Sequence, residues 1–279
     1  MTDTPETKND HQVPAPAEHA AVWPGENPVA YTARSEWIVL RKKEKPVAEI
    51  FSTAYVADDG GEDRPVTFVF NGGPGAASAY LHMGAVGPRR IDFPPDGTLP
   101  TPPARLVDNA ESWLAFTDLV FVDPVGTGFS RAVEAEKDDK DTKPDEKHDP
   151  AAFFGLKRDL ESLGEFMSRW LSNQNRWGSP VFIAGESYGG FRAAKLARLL
   201  PESYGIGLSG AVLISPALEF APLNPSDYDT LPWIDKLPTM AAAAVFHGRS
   251  RAFEVGTPLE DVLAAAEQFA TSQYVAYLT

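Results

Sequence analysis

The sequence predicts an α/β fold, a sandwich in which helices cover a mostly parallel central sheet. Short apolar runs that suit buried strands alternate with helical segments along the middle of the chain. These runs are Val66–Phe70, Leu119–Val122, Val181–Ala184 and Ala211–Ile214. Because Val66–Phe70 is apolar on both faces, we expect it to be a central strand of the sheet.

Two further strands are expected before the parallel ones. Trp37–Leu40 and Val47–Phe51 flank the polar connector Arg41–Lys45, a pattern that predicts a hairpin. Residues 1–30 are polar and rich in Pro, Ala and acidic residues, which predicts a disordered tail. The α/β core is therefore expected to span 31–215.

Two helices are expected within this core. Asp149 as N-cap and Pro150 in the first turn mark the start of the first. Its apolar side chains recur every three or four residues, at Phe153, Leu156, Leu160, Leu163, Met167 and Trp170. The second helix is expected over about 191–200, where Pro201 ends it.

The pattern changes at Pro216, where prolines cluster and no further buried strand is evident. Two helical segments follow, at about 239–247 and 258–278. We interpret 216–279 as the start of a helical cap, which leaves the core incomplete on its C-terminal side. The charge-dense stretch 131–149 is expected to be an exposed loop.

Composition excludes several classes of function. The chain has 279 residues, with 25 Lys+Arg against 39 Asp+Glu, and a formal charge of -14. Such a chain repels nucleic acid and anionic membranes, so neither is expected as a partner. There is no cysteine, which excludes disulfides and thiol catalysis. No signal peptide, membrane span, metal cluster or cofactor motif is visible, so a cytoplasmic protein without cofactor or metal is expected. The oligomeric state is not indicated.

The strongest chemical motif is Gly185-Glu186-Ser187-Tyr188-Gly189, which matches G-x-S-x-G. A predicted strand precedes it and a helix follows, the arrangement of the nucleophile elbow in an α/β-hydrolase fold. Small flanking residues allow a tight turn that presents the Ser187 hydroxyl above the sheet. The motif therefore predicts Ser187 as a nucleophile; a tight turn with an incidental serine is the alternative.

A second motif, Asn71-Gly72-Gly73-Pro74-Gly75, follows the central strand and precedes the elbow by about 110 residues. An oxyanion hole needs two donors: the N–H of the residue after the nucleophile, Tyr188, and an N–H from a glycine-rich loop after an earlier strand. Gly73 suits the second role because its backbone can approach a substrate closely.

Together with Asp123–Ser130, these two motifs resemble the three signature blocks of the serine carboxypeptidases, in the same order and with similar spacing. The resemblance, to a bacterial-type member, implies hydrolysis of C-terminal peptide bonds, typically at acidic pH. It implies Ser187 as nucleophile, and Gly73 and Tyr188 as oxyanion donors. It also implies that Asn71, Gly72 and Glu186 bind a peptide substrate. Asn71 and Glu186 would hold its terminal carboxylate. Because a Glu holds a carboxylate only when the two share a proton, an acid preference follows.

The sequence departs from the family pattern at three positions. Ala76 stands where most eukaryotic members have Cys, and Val69 where a tryptophan is common. Ala85 occupies the position of the family's second carboxylate-binding Glu, two residues before Gly87-Pro88. The terminal-carboxylate clamp is therefore expected to be incomplete.

The triad partners of Ser187 are also expected to be missing. Chain order in this fold is Ser, then Asp, then His, yet only His247 follows Ser187, in an alanine-rich helical segment. His82 could line the pocket but is not expected to be the base. The aspartates of the proline-rich segment are equally poor candidates: Asp227, Asp229 and Asp235. We therefore expect the sequence to be an N-terminal portion whose His and Asp lie elsewhere.

Three functions stay open on the sequence alone. The leading hypothesis is a serine-type carboxypeptidase that forms an acyl-enzyme at Ser187. An acyltransferase or esterase of the same fold is the alternative within enzymes. A non-catalytic binding protein on a hydrolase scaffold is the alternative from another class.

Overall fold

The computed structural model describes residues 11–133 and 149–279. The chain divides into two compact units, Met1–Ala217 and Leu218–Thr279. The predicted boundary at 215/216 lies two residues before this division. Of the predicted loop at 131–149, residues 134–148 lie outside the described residues, and Arg131–Ala132 form a short strand.

Strands and helices make up the regular structure of the described part of the first unit. The strands are β1 (Ala17–Trp23), β2 (Val29–Lys42), β3 (Lys45–Ala57), β4 (Val66–Phe70), β5 (Arg89–Ile91), β6 (Leu106–Asp108), β7 (Asp118–Val122), β8 (Arg131–Ala132), β9 (Val181–Glu186) and β10 (Leu208–Ile214). The α-helices are α1 (Ala79–Leu81), α2 (Leu156–Asn173) and α3 (Tyr188–Leu199). Single turns of other helix types are Trp113–Ala115 and Pro150–Phe154 (3₁₀), and His82–Val86 and Leu200–Tyr204 (π).

The main sheet has the order β1-β2-β3-β7-β4-β9-β10, and β8 pairs with β3. Pairing is antiparallel from β1 through β7 and parallel from β7 through β10. All five residues of β4 are buried, between β7 and β9. The predicted α/β sandwich with a mostly parallel sheet is therefore confirmed, as is the central place of Val66–Phe70.

The topology places a crevice above β4 and β9. After β4 the chain passes to β7 on one side, whereas after β9 it passes to β10 on the other side. Adjacent parallel strands whose connections diverge in this way leave an opening beyond their carboxyl ends, where ligands bind in open α/β sheets. The two predicted motifs follow these two strands.

The prediction of a disordered tail over 1–30 is wrong for its second half. Residues 17–23 form β1 and pair antiparallel with the start of β2. Trp23 is buried, and its Nε1 donates a hydrogen bond to the Asn109 carbonyl at 2.7 Å. The strand is mostly exposed, so its polar composition hid an edge strand that one aromatic anchor holds to the core. Residues 1–10 lie outside the described residues.

The predicted hairpin forms with a shorter turn than expected. Lys42 pairs with Lys45, so Lys43 and Glu44 alone make the turn. Both have positive φ, 47° and 65°, the backbone of a type I′ turn, whose twist matches that of the paired strands. The longer polar connector expected from sequence is therefore mostly strand.

The first predicted helix is interrupted near its start. Asp149 does cap the chain, accepting a hydrogen bond from the Ala151 N–H at 2.9 Å, but the capped element is the 3₁₀ turn Pro150–Phe154. Gly155 is extended, and α2 begins only at Leu156. Leu156 is consequently 42% exposed, contrary to its place in the predicted apolar face.

The second predicted helix is longer than expected at both ends. α3 begins at Tyr188, directly after the elbow serine, rather than at 191. Pro201 does not end the helical path, which continues from α3 into the π turn Leu200–Tyr204.

Two apolar layers cover the two faces of the sheet. On one face, Phe68 of β4 packs edge-on against Trp170 of α2, with ring centroids 5.3 Å apart, within the larger core. On the other face, Val69 and Phe121 pack with Trp23 and Leu81. This double coverage explains the continuous apolar runs of β4 and β7.

β10 confirms the predicted strand over Ala211–Ile214 and begins three residues earlier, at Leu208. Its Val212 and Leu213 are each 40% exposed. β10 ends the strand order and pairs only with β9 among the described strands, so its apolar character alone did not indicate burial.

The second unit is helical throughout its described regular structure. It contains a 3₁₀ turn (Ala221–Leu223), α4 (Leu231–Phe246), α5 (Leu259–Phe269), a π turn (Ala270–Tyr274) and α6 (Val275–Leu278). α4 starts eight residues before the predicted 239, because Pro232 suits a first turn and Pro238 is accommodated inside the helix. Among the described helices, none combines the length and apolarity that crossing a bilayer requires.

Candidate active site

Ser187 lies between the end of β9 and the start of α3, in a backbone conformation that few residues adopt. Its φ is 57° and its ψ is -121°. Its N–H donates to the Ile214 carbonyl at 3.0 Å, and its own carbonyl accepts from the N–H groups of Gly190 and Ala217, each at 3.0 Å. A strained serine in a tight strand-to-helix turn is the geometry of a nucleophile elbow.

The glycines of the elbow are required by close backbone approach. A Cβ at Gly185 would lie 2.0 Å from the Gly189 carbonyl oxygen, and one at Gly189 would lie 2.5 Å from the Phe70 carbonyl oxygen. Backbone atoms at such distances cannot move aside cheaply, so the turn and its packing against β4 depend on the absence of side chains.

The loop after β4 passes directly beside the nucleophile. A Cβ on Gly72 would lie 2.6 Å from the Tyr188 amide nitrogen and 2.9 Å from Ser187 Cβ. Gly73 follows at φ 108° and is exposed. The structure therefore brings together the glycine loop, Ser187 and the first residue of α3, which are the parts that an oxyanion hole needs.

Asn71 and Glu186, which the resemblance implies as carboxylate ligands, lie side by side. Asn71 Nδ2 donates to Glu186 Oε2 at 3.1 Å, and the Leu81 N–H donates to Asn71 Oδ1 at 2.8 Å. Asn71 is buried and Glu186 is partly exposed. The Asn71 amide is thus oriented from both of its ends, with the Glu186 carboxylate on the solvent side.

Two of the three positions that depart from the family pattern, Val69 and Ala85, differ in exposure. Val69 is fully buried in the sheet, within the smaller apolar layer. Ala85 is exposed in the π turn His82–Val86. Ala85 is therefore a surface position at which a carboxylate is absent.

Asp123, from the signature block Asp123–Ser130, bonds two neighbouring loops. Its Oδ1 accepts from the Ser78 N–H at 2.9 Å and its Oδ2 from the Phe129 N–H at 3.3 Å. Its backbone carbonyl accepts from the Ser130 hydroxyl at 2.6 Å. Burial raises the pKa of the Asp123 carboxyl, although these amide donors oppose the shift. This block therefore ties the loop after β7 to the segment that follows the glycine loop.

Sequence reasoning missed a buried ion pair beside the site. Arg192 Nε donates to Asp159 Oδ2 at 2.7 Å, and Arg192 Nη1 donates to the Asn71 carbonyl at 3.2 Å. The guanidinium carbon lies 4.8 Å from the centroid of the Tyr188 ring. The available signal was Asp159 next to Leu160 on the apolar face of α2, since a charged residue there needs a buried partner.

His82 lies in the protein layer behind the glycine loop. Tyr55 Oη and His82 Nε2 are 2.6 Å apart, and the imidazole stacks on the Phe121 ring with centroids 4.4 Å apart. Burial lowers the pKa of His82 to about 4, because desolvation disfavours the charged imidazolium. His82 is thus a neutral packed histidine bonded to Tyr55.

No histidine of the first unit bonds the Ser187 hydroxyl within residues 11–133 and 149–217. His11 pairs with Glu49, His82 with Tyr55, and His19 is exposed on β1. His247 is exposed at the C-cap of α4 in the second unit.

The predicted aspartate candidates also lie in the second unit. Asp229 accepts hydrogen bonds from Ser226 in a turn, while Asp227 and Asp235 lie in the same proline-rich segment. Over the described residues, no group of three or more His, Asp or Glu side chains is arranged to hold a metal ion.

Comparison with solved structures gives only distant likenesses. The chain is similar to acetyl xylan esterase 1 from Thermoanaerobacterium, at 16% identity and a TM-score of 0.40, over 91% of this chain and 67% of that one. It is also similar to brefeldin A esterase, at 16% identity and a TM-score of 0.38, over 98% of this chain and 55% of that one. With TM-scores this low, neither likeness supports an argument.

Curated relatives are closer in sequence. Serine carboxypeptidase-like 26 of Arabidopsis thaliana is 29% identical over 182 residues, which cover 64% of this chain and 36% of the relative. The pheromone-processing carboxypeptidase kex1 of Schizosaccharomyces japonicus is 27% identical over 198 residues, which cover 69% of this chain and 34% of the relative. The chain thus spans about a third of the length of these relatives. Both are eukaryotic proteins, so they lend no support to the narrower expectation of a bacterial-type member.

A family model described as serine carboxypeptidase matches residues 24–218. The match covers more than half of the chain and includes the glycine loop, the Asp123 block and the elbow. With the parallel sheet and the strained serine, it identifies the scaffold as an α/β-hydrolase fold. The chain therefore belongs to the serine carboxypeptidase family.

Proposed function

We propose that this protein is a serine-type carboxypeptidase that hydrolyses the C-terminal peptide bond of a peptide through an acyl-enzyme at Ser187. The observation that carries the proposal is the contact between the glycine loop and the elbow. Gly72 leaves no room for a Cβ beside Ser187 and the Tyr188 nitrogen, so two donor segments flank one nucleophile.

The reaction follows from this arrangement. Ser187 Oγ adds to the scissile carbonyl carbon as a general base takes its proton, and the oxyanion accepts hydrogen bonds from the Gly73 and Tyr188 N–H groups. The C–N bond then breaks, and the leaving amine receives the proton. Water, deprotonated by the same base, releases the peptide acid and restores the serine hydroxyl.

The proposed reaction needs a general base, a His, and the Asp that orients it. Among the described residues 11–133 and 149–217, His11 and His82 are bonded elsewhere and His19 is exposed, so we place the triad His and Asp outside these two ranges. We further propose that they lie in a part of the protein beyond this chain. A serine hydroxyl without such a base is a poor nucleophile, so turnover depends on that part.

Recognition of the substrate terminus is assigned to Asn71 and Glu186. The Asn71 amide, held at 3.1 Å from Glu186 Oε2, can donate to a terminal carboxylate that approaches from the solvent side. Glu186 can hold the same carboxylate only when the two groups share a proton. Ala85 contributes no third group, so binding of the terminus is expected to be weaker than in a complete clamp.

Two assays on the full-length protein test the proposal. A fluorophosphonate probe is expected to label the wild type and not Ser187→Ala. A blocked dipeptide with a free terminal carboxylate is expected to be hydrolysed at least about tenfold faster than its C-terminal amide, because only the acid engages Asn71 and Glu186. Equal rates for the acid and the amide would contradict a carboxypeptidase.

Two other functions have one supporting observation each. The exposed Ala85, in place of a carboxylate, favours an acyltransferase or esterase that does not need a terminal carboxylate. Faster turnover of an ester with an alcohol acceptor than of the peptide would favour it. The lack of a bonded histidine beside Ser187 in the described first unit favours a non-catalytic binding protein. Failure of the full-length protein to label at Ser187 would favour that function.

A further inference from the structure

Arg192 contacts both segments that flank the nucleophile. It is only 3% exposed. Its Nη1 donates to the carbonyl of Asn71, the residue before Gly72, at 3.2 Å. Its guanidinium also lies over the ring of Tyr188, 4.8 Å from the centroid. One planar group therefore bridges the loop after β4 and the first residue of α3.

Asp159 fixes the orientation of this guanidinium from the opposite side. Asp159 Oδ2 accepts from Arg192 Nε at 2.7 Å, and both side chains are buried between α2 and α3. A buried charge pair holds a narrow geometry, because neither partner finds water if it moves away. The rigid fork of arginine sets the direction of its remaining N–H groups once one of them is bonded.

We propose that Arg192, held by Asp159, is a positioning residue that sets the spacing of the two oxyanion donors, the Gly73 and Tyr188 N–H groups. This inference rests on the proposed role of Ser187 as nucleophile. Arg192 acts through the Asn71 carbonyl and the Tyr188 ring and does not touch the substrate. Removing it lets the glycine loop shift relative to the elbow, which loosens the oxyanion hole without changing the nucleophile.

A second buried ion pair, whose Asp118 also pairs with Arg64 Nε at 2.8 Å, supplies a control away from the site. Arg176 Nη1 donates to Asp118 Oδ2 at 2.5 Å, and both side chains are as deeply buried as the Arg192 pair. Asp118 begins β7, whereas the glycine loop and Ser187 follow the carboxyl ends of β4 and β9. The Asp118–Arg176 pair therefore stabilises the same sheet from the opposite edge and touches neither donor segment.

The first measurement is amide hydrogen exchange in the full-length protein. The double variant Asp159→Asn/Arg192→Met removes both charges and so leaves no buried ion unpaired. We expect the Leu81 amide, which is bonded to Asn71 Oδ1, to exchange at least about tenfold faster than in the wild type. In the control variant Asp118→Asn/Arg176→Met, the ratio of the Leu81 exchange rate to the exchange rates of the β4 amides should stay as in the wild type. Unchanged Leu81 exchange in the first variant, or an equal increase in both, would overturn the proposal.

The second measurement is the rate of fluorophosphonate labelling and peptide hydrolysis. We expect the Arg192 double variant to label Ser187 about 10 to 100 times more slowly, with kcat for peptide hydrolysis reduced in the same range. Arg192→Lys retains the charge without the fork, so its labelling rate should fall between the two. Normal labelling by the double variant, despite faster Leu81 exchange, would overturn the positioning role.

The two measurements separate this inference from the proposed function. If wild-type Ser187 does not label, the proposed function fails, and Leu81 exchange still decides whether Arg192 holds the loop. If the double variant does not fold, Arg192→Lys decides the question: both faster Leu81 exchange and slower labelling support positioning, and the absence of either contradicts it.

Discussion

The backbone of Ser187 is held in a costly conformation by its hydrogen bonds. A non-glycine residue at φ 57° and ψ -121° costs on the order of 1–3 kcal/mol, which the surrounding structure must offset. Bonds to Ile214, Gly190 and Ala217 at 3.0 Å do so from both sides of the turn. The conformation carries the hydroxyl clear of the sheet, where a substrate can meet it.

Gly72→Ala is expected to impair the site at a single residue. The added Cβ would lie 2.6 Å from the Tyr188 nitrogen, so the loop must move away from the elbow and one oxyanion donor with it. We expect fluorophosphonate labelling of Ser187 to slow by about 100-fold, the loss typical of one oxyanion donor. Gly84→Ala is the control, because a Cβ there meets no atom within 4 Å. Equal labelling of the two variants would refute the close-approach argument.

Glu186→Gln is expected to change the pH dependence of substrate binding. With Glu186 present, a substrate carboxylate and the side chain must share one proton, so KM should rise as pH rises. With Gln, the amide can donate without a titrating proton, and KM should become nearly independent of pH. The measurement is KM for a blocked dipeptide against pH, with Glu202→Gln, exposed in the π turn that follows α3, as control. Parallel KM profiles for wild type and Glu186→Gln would contradict the assignment.

At the scale of elements, buried charges join segments that are distant in sequence. Asp118 at the start of β7 accepts hydrogen bonds from the Ala57 N–H at 2.9 Å, Arg64 Nε at 2.8 Å and Arg176 Nη1 at 2.5 Å. It therefore connects β3, the segment before β4 and the turn before β9. No local pattern predicts such a carboxylate, because its partners come from three other parts of the chain.

Asp118→Ala is expected to destabilise the fold strongly. The guanidinium groups of Arg64 and Arg176 lose their shared, fully buried carboxylate, and breaking a buried ion pair costs about 3–5 kcal/mol. Denaturant unfolding should show this loss in the free energy of unfolding. The control is Glu111→Ala, whose exposed contact with Arg90 at 3.3 Å should contribute less than about 1 kcal/mol. A loss at Asp118 no larger than that at Glu111 would contradict the network's role.

At the scale of the whole molecule, the dense packing of both sheet faces couples stability to the protonation of His82. Burial lowers the pKa of His82 from 6.5 to about 4, so the unfolded chain binds the proton first as pH falls. The contribution is therefore complete above pH 6.5 and is lost between pH 6.5 and about 4, with a total on the order of 3 kcal/mol.

His82→Gln is expected to remove this pH dependence, because Gln can keep a hydrogen bond to Tyr55 and does not titrate. The free energy of unfolding should fall less steeply in this variant than in the wild type as pH decreases through that window. His19→Gln, at an exposed position on β1, should follow the wild type. Superimposable curves for wild type and His82→Gln would show that His82 is solvated.

Periodicity and motif context were sufficient for the main elements of the core. Val66–Phe70 and Leu119–Val122 form adjacent parallel strands within one residue of their predicted bounds, because continuous apolar runs are typical of strands buried on both faces. The small residues of Gly185-Glu186-Ser187-Tyr188-Gly189 were sufficient to predict the tight turn at Ser187. The same signals failed to predict β1, whose single buried residue, Trp23, lies among exposed ones.

The sequence by itself determined the α/β order of elements, the nucleophile motif and the glycine loop, because each depends on residues that are neighbours along the chain. Only the tertiary structure decided that Gly72 lies beside Ser187, that Asn71 donates to Glu186, and that Arg192 bridges Asn71 and Tyr188. These contacts join the loop after β4 to residues 115 to 121 positions later in the chain, through the pairing of β4 with β9. Burial then decides their chemistry, since a charge removed from water has only the partners that the fold brings to it.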